Sequence, residues 1–137
     1  MADTVVSQLL GVEPMRRVLH IANISDGTGE SAVAKTAKAG LLVPTPGNPS
    51  LMAAPTSIDI EWVRWNIQGF SSVRIYWDHT VDDLALVLAG SGFDDFDGRG
   101  PLADPRSAGG PGDIIVTTAG AAAGATYDIS LGLLFRF

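Results

Sequence analysis

Tyr127, Ile129, Leu131, Leu133, Phe135 and Phe137 occupy every second position of the last eleven residues, and this run narrows the choice of fold more than any other stretch. Side chains two residues apart share one face of an extended strand, so the run reads as a half-buried β-strand. An apolar strand carried as far as Phe137, in place of a polar tail, predicts a structural C-terminus tucked into a sheet or a neighbouring subunit.

The same signature recurs upstream. From Arg16 to Ile24, Val18, His20, Ala22 and Ile24 alternate with Leu19, Ile21 and Asn23. Both faces are partly apolar, which suits a strand within a core. From Ser57 to Ile67, Ile58, Ile60 and Trp62 alternate with Asp59, Glu61 and Val63, until Trp65 and Ile67 make the second face apolar as well. Gln68-Gly69-Phe70-Ser71 reads as a turn into a strand at Val73–Trp77, so these two strands are expected to pair as a hairpin. Asp83–Leu88 and Asp113–Thr118 supply two more strands. Ser31–Leu42 is ambiguous: its Ala and Lys residues favour helix, yet its apolar residues show no helical period, and it is read as a strand.

Turn chemistry separates these runs. Ser25–Gly29 and Ala119–Gly124 are turns, and Ser91–Gly112 is a Gly/Pro/Asp-rich connection with room for a brief extended piece. Val43–Pro55 carries four prolines, which exclude a helix or a central strand. It is expected to be a long surface loop or crossover, and its length makes it a candidate contact arm. The opening segment to Pro14, with Val5, Val6, Leu9, Leu10 and Val12, forms either one short amphipathic turn or an extended arm on a neighbour. The expected architecture is therefore all-β: a jelly-roll-like antiparallel β-sandwich of at least six strands over residues 16–137, with an N-terminal arm over residues 1–15.

Composition bounds the function. A chain of 137 residues is expected to make one domain with a real core, and the absence of cysteine excludes disulfide frameworks and thiolate chemistry. A net charge of -6, with nine scattered Lys and Arg, argues against a nucleic-acid partner; the adjacent Arg16-Arg17 reads as a solvated strand start. No run approaches the roughly 20 apolar residues of a membrane helix, and Met1–Leu10 lacks a signal peptide's basic start, so neither a membrane partner nor export by that route is expected. Hydrophobic residues reach 46% and charged residues 18%, below the roughly 25% charged of average domains. That surplus of apolar surface is expected to meet another chain.

Catalytic material is sparse. With His20 and His79 alone, neither a zinc site of three or four ligands nor a serine triad with a positioned base is assembled. His20 reads as a hydrogen-bonded core histidine and His79 as a turn histidine bonded to backbone. Asp94-Asp95-Phe96-Asp97-Gly98 lacks the terminal Glu of a calcium loop and reads as a solvated acidic loop. Gly27-Thr28-Gly29-Glu30-Ser31 lacks the Gly-Lys-Ser/Thr ending of a phosphate cradle, and Glu30 would repel phosphate. Trp62, Trp65 and Trp77 are read as core or interface fillers in preference to a sugar platform. No catalytic, cofactor or metal residue is assigned, and no enzymatic activity is expected.

Across Ile58 to Phe137, the segments Glu61–Gly69, Tyr76–Thr80, Ser107–Thr118 and Gly124–Ile129 resemble the capsid decoration, cement or head-stabilising proteins of tailed bacteriophages. The resemblance implies a β-rich homo-oligomer, with a trimer favoured, that sits on the exterior of a virion, contacts the major capsid protein and stabilises the head without an active site or cofactor. Leu9 and Leu10 of the arm, with Leu51 and Met52 of the proline-rich passage, are the expected contact residues. The competing expectation is a β-sandwich binding module for carbohydrate or a host surface, or a phage neck or fibre component.

Overall fold

In the computed structural model, which describes residues 4–11, 15–36, 43–45 and 48–137, the chain forms eleven strands. They are β1 (Thr4–Leu10), β2 (Arg16–Asp26), β3 (Val33–Thr36), β4 (Val43–Thr45), β5 (Asn48–Ala53), β6 (Ser57–Gln68), β7 (Ser72–Trp77), β8 (Asp83–Leu88), β9 (Ser91–Asp94), β10 (Ile114–Ala119) and β11 (Ala123–Arg136). A 3-10 turn at Phe96–Gly98 follows β9. Among the described residues no helix is long and apolar enough to cross a membrane.

Every pairing is antiparallel. A five-stranded sheet has the order β1-β2-β11-β6-β9, a four-stranded sheet the order β3-β10-β7-β8, and β4-β5 form a separate ribbon. The pairs nest within one another: β7 with β8, β6 with β9, β3 with β10, and β2 with β11. The chain thus doubles back on itself as one long ribbon. Two further pairings, β6 with β11 and β7 with β10, roll that ribbon shut.

β11 occupies the centre of the larger sheet, bonded to β2 on one side and β6 on the other. Its alternation does what the sequence requires of it: Tyr127, Ile129, Leu131, Leu133 and Phe135 are each at most 1% exposed, whereas Phe137, beyond the strand, is 42% exposed. Each such side chain stabilises the fold by about 1.5–3 kcal/mol through burial. The hydrophobic core joins them to Leu19 and Ile21 of β2, Ile58, Ile60 and Val63 of β6, and Val73, Ile75, Trp77, Leu88, Ile114 and Val116 of the smaller sheet. Trp77 Nε1 donates to the Ile58 carbonyl at 2.7 Å, a bond that ties β7 to β6.

Three expectations need correction. β6 and β7 are not a hairpin: the chain turns at Gly69 and passes from one sheet to the other, because both strands bury one face in the same core and face each other across it. Within β6 the alternation slips by one where β11 shifts register at Gly132/Leu133, so Trp62 opposes Gly132 and faces away from the core that holds Ile58 and Ile60. A Cβ at Gly132 would lie 2.1 Å from Trp62 Nε1, so only glycine admits the indole there. Finally, the proline-rich passage is a ribbon and not a loop. Pro44 and Pro49 sit in β4 and β5, where a two-stranded ribbon has no central strand to disrupt. The strand expected in Ser31–Leu42 appears as β3, and its remainder, from residue 37 on, lies outside the described residues.

Candidate functional site

The N-terminal arm is an edge strand. β1 pairs with β2 in unbroken register from Thr4↔Ile24 to Leu10↔Val18, and Ser7 Oγ donates to the Lys35 carbonyl at 2.7 Å, which ties the arm to β3. Residues directly opposite share a face, so Val5, Ser7 and Leu9 extend the row of Asn23, Ile21 and Leu19, while Val6, Gln8 and Leu10 lie on the outward side. Neither side is covered: Val5 is 46%, Val6 37%, Leu9 37% and Leu10 46% exposed. Sheet edges are ordinarily protected by charge, proline, bulges or brevity. Thr4–Leu10 has no charged residue, no proline and no register shift over seven residues.

Of the four expected contact residues, Leu9 and Leu10 therefore belong to the larger sheet, and Met52, 51% exposed, belongs to the β4-β5 ribbon. Leu51 is also in β5, with its side chain outside the described residues. The two pairs sit on separate sheets.

A second feature was legible only in part, since the sequence assigns His79 a backbone partner but no carboxylate. At the end of β7, His79 is buried, its Nδ1 2.9 Å from the Gly109 carbonyl and its Nε2 2.7 Å from Asp104 Oδ1. Asp83 Oδ2 lies 3.8 Å from the same Nε2 and has no hydrogen-bond partner. Both ring nitrogens face acceptors, an arrangement that favours the doubly protonated ring. Burial pulls its pKa down, but the Asp104 hydrogen bond, the Gly109 carbonyl and the charges of Asp104 and Asp83 together hold it above the usual 6.5. On the neighbouring Asp78, desolvation and then the charges of Asp82 and Asp113 push the carboxyl above its ordinary 3.8.

Asp104 is held in turn. Its Oδ1 accepts from Arg106 N at 2.8 Å, and its own N donates to Asp59 Oδ1 at 3.2 Å; Arg136 Nε donates to Asp59 Oδ2 at 2.8 Å. The network thus clamps the segment after β9 to β6, β7 and β11. Two glycines make the close approach possible. A Cβ at Gly110 would lie 2.5 Å from the Asp78 carbonyl oxygen, and one at Gly109 would lie 1.8 Å from Thr80 Oγ1. The glycine pair in Ser107-Ala-Gly-Gly-Pro-Gly was the sequence signal of this approach, although it names no partner.

The ligand atoms of His79, Asp83 and Asp104 lie within 4.8 Å of one another, a donor set of the kind that holds a divalent cation. Distance decides against that reading of the present geometry. Two ligands of a tetrahedral metal at 2.0–2.1 Å stand about 3.3 Å apart, whereas Nε2 and Asp104 Oδ1 are at the 2.7 Å of a charge-assisted hydrogen bond.

Elsewhere the structure redistributes the candidates. His20 is not a core residue; it lies on the outward face of β2, bonded to Asp128 at 2.9 Å. The tryptophans form no common row: Trp77 is in the core, Trp65 is half-buried with Nε1 bonded to the Ala89 carbonyl, and Trp62 faces outward. Asp94 Oδ1 accepts from Phe96 N at 2.7 Å, which makes the acidic run a capped turn at the surface. Glu30 is buried, paired with Lys35 and hydrogen-bonded by the Tyr127 hydroxyl. No family model, no curated protein and no solved structure matches this chain.

Proposed function

We propose that this protein is a jelly-roll β-sandwich with a structural role, a capsid decoration or cement protein that self-associates through its β1 edge and stabilises the head of a tailed phage. The strand order supports the jelly roll. Leaving aside β1 and the β4-β5 ribbon, the remaining eight strands taken in chain order run 1-8-3-6 in one sheet and 2-7-4-5 in the other, the arrangement of a rolled double ribbon with Greek-key connections. Jelly rolls recur in viral shells and in lectins, and a fold alone does not choose between them.

The observation that carries the structural role is the uncharged, apolar, uncovered β1 edge. Its unpaired backbone groups offer a partner a ready strand, and its two leucines and two valines offer contact area on either side. The resemblance in Glu61–Gly69, Tyr76–Thr80, Ser107–Thr118 and Gly124–Ile129 supplies the class of partner, a shell of major capsid protein, and the trimeric state. On such a lattice the protein would act by mass action, its binding favouring the assembled shell over the dissociated one.

Size-exclusion chromatography with light scattering tests the reading. The expected mass is three times the 14.3 kDa of the chain. A strictly monomeric protein that also fails to co-sediment with phage heads would overturn it.

A further inference from the structure

We propose that the outward face of the five-stranded sheet carries a shallow binding site for a carboxylate-bearing saccharide, centred on Arg64. The register sets Gln8, His20, Ser130, Arg64 and Phe93 directly opposite one another in a single row across all five strands. Asn66 and Asp128 face each other in the next row, and together with His20, Arg64 and Ser130 they line one open depression.

Charge selects the occupant. Within the depression His20 and Asp128 satisfy each other at 2.9 Å. Arg16 and Arg136 likewise have carboxylate partners, Glu61 and Asp59. Arg64 differs from these: its guanidinium lies over the Phe93 ring at 5.8 Å, and no carboxylate among the described residues pairs with it. It is thus a cation with no carboxylate partner among the described residues, set beside an aromatic ring. A planar guanidinium is complemented best by a carboxylate, which it binds through two parallel hydrogen bonds.

The surroundings select a sugar as the carrier of that carboxylate. Phe93 is 55% exposed and packs at 6.1 Å against Trp62, the tryptophan that the register slip turned outward. Adjoining aromatic surface suits the C–H face of a pyranose ring. Asn66 and Ser130 add amide and hydroxyl groups that match ring hydroxyls. Gly132 beneath the Trp62 indole keeps that ring low on the sheet. A bare anion would use Arg64 and leave the aromatic pair idle; a neutral sugar would use the aromatics and leave Arg64 uncompensated.

The site is formed by one chain and does not depend on self-association. The test is calorimetric or NMR titration of the full chain with trigalacturonate, with its methyl ester and with inorganic phosphate. Trigalacturonate is expected to bind saturably, and Arg64→Gln and Phe93→Ala are each expected to weaken it about tenfold or more, roughly one hot-spot contact apiece. The ester and phosphate are expected to bind at least tenfold more weakly than the acid, about 1.4 kcal/mol. Leu9→Lys, which targets the edge, should leave the affinity unchanged. Absence of saturable binding up to about 10 mM, below the weakest useful affinities, would overturn the proposal. So would an affinity unaffected by Arg64→Gln, equal binding of the ester or phosphate, or loss of binding in Leu9→Lys.

Discussion

β11 and β1 belong to the same sheet, yet one has its alternate residues sealed in the core while the other is bare on both faces. In β11 the alternate residues Tyr127 to Phe135 are sealed between two neighbouring strands and the opposing sheet. In β1 the valines and leucines have one neighbouring strand, β2, and all exceed a third of their full exposure. Local sequence makes both strands; rank in the sheet decides what their apolar surface is for. A central strand contributes to folding, and an edge strand leaves its surface open.

Substitutions can break this contrast. The largest loss of stability is expected at Glu30→Ala, which leaves the buried Lys35 ammonium without a counter-charge and removes the acceptor of the Tyr127 hydroxyl on β11. Breaking a buried pair in this way costs about 3–5 kcal/mol, measurable by chemical denaturation. Leu131→Ala, in the middle of β11, should cost about 2–5 kcal/mol for lost transfer energy and the cavity left behind. A cost of this size at Leu9→Ala on β1 would refute the division between the two strands.

The clamp around His79 gives an intermediate effect, governed by pH. The folded chain holds the His79 proton more tightly than the unfolded chain, so the clamp's contribution is complete below the unfolded value of 6.5 and is lost as pH rises through the raised folded value. Melting temperature should accordingly fall as pH rises from neutrality into the alkaline range, and Asp104→Asn should flatten that slope. The smallest effect on the fold is expected for Leu9→Lys, within about 0.5 kcal/mol for an exposed position. Its effect on mass should be decisive: a charge on the bare edge is expected to leave a monomer in light scattering.

β11 could be read from its residues because a half-buried central strand writes its environment into a period of two. β2 was legible for the same reason, whereas β8, an edge strand, and β10 are present where expected without alternating burial. The partner of each strand was not. The turn at Gln68–Ser71 looks the same whether the chain stays in one sheet or crosses to the other, so β6 and β7 were paired wrongly. The slip at Trp62 was hidden because it depends on Gly132, a residue remote in sequence that alone leaves room for the indole. The burial of Glu30 was hidden because Tyr127, its buried partner, comes from the far end of the chain. His79 gave no sign of its carboxylate for a similar reason: Asp104 reaches it only when Gly109 and Gly110 let the segment approach.

The nested pairing also orders events during synthesis. β2 and β6 bond to opposite sides of β11, so each lacks one of its two permanent neighbours until that strand leaves the ribosome. From Gln68, where β6 ends, to Arg136, where β11 ends, translation at about 5–20 residues per second takes roughly 3–14 s. For that interval the nascent chain carries two apolar strands with a vacant slot between them. Chaperone engagement, and any misassembly between chains on one polysome, should be concentrated there.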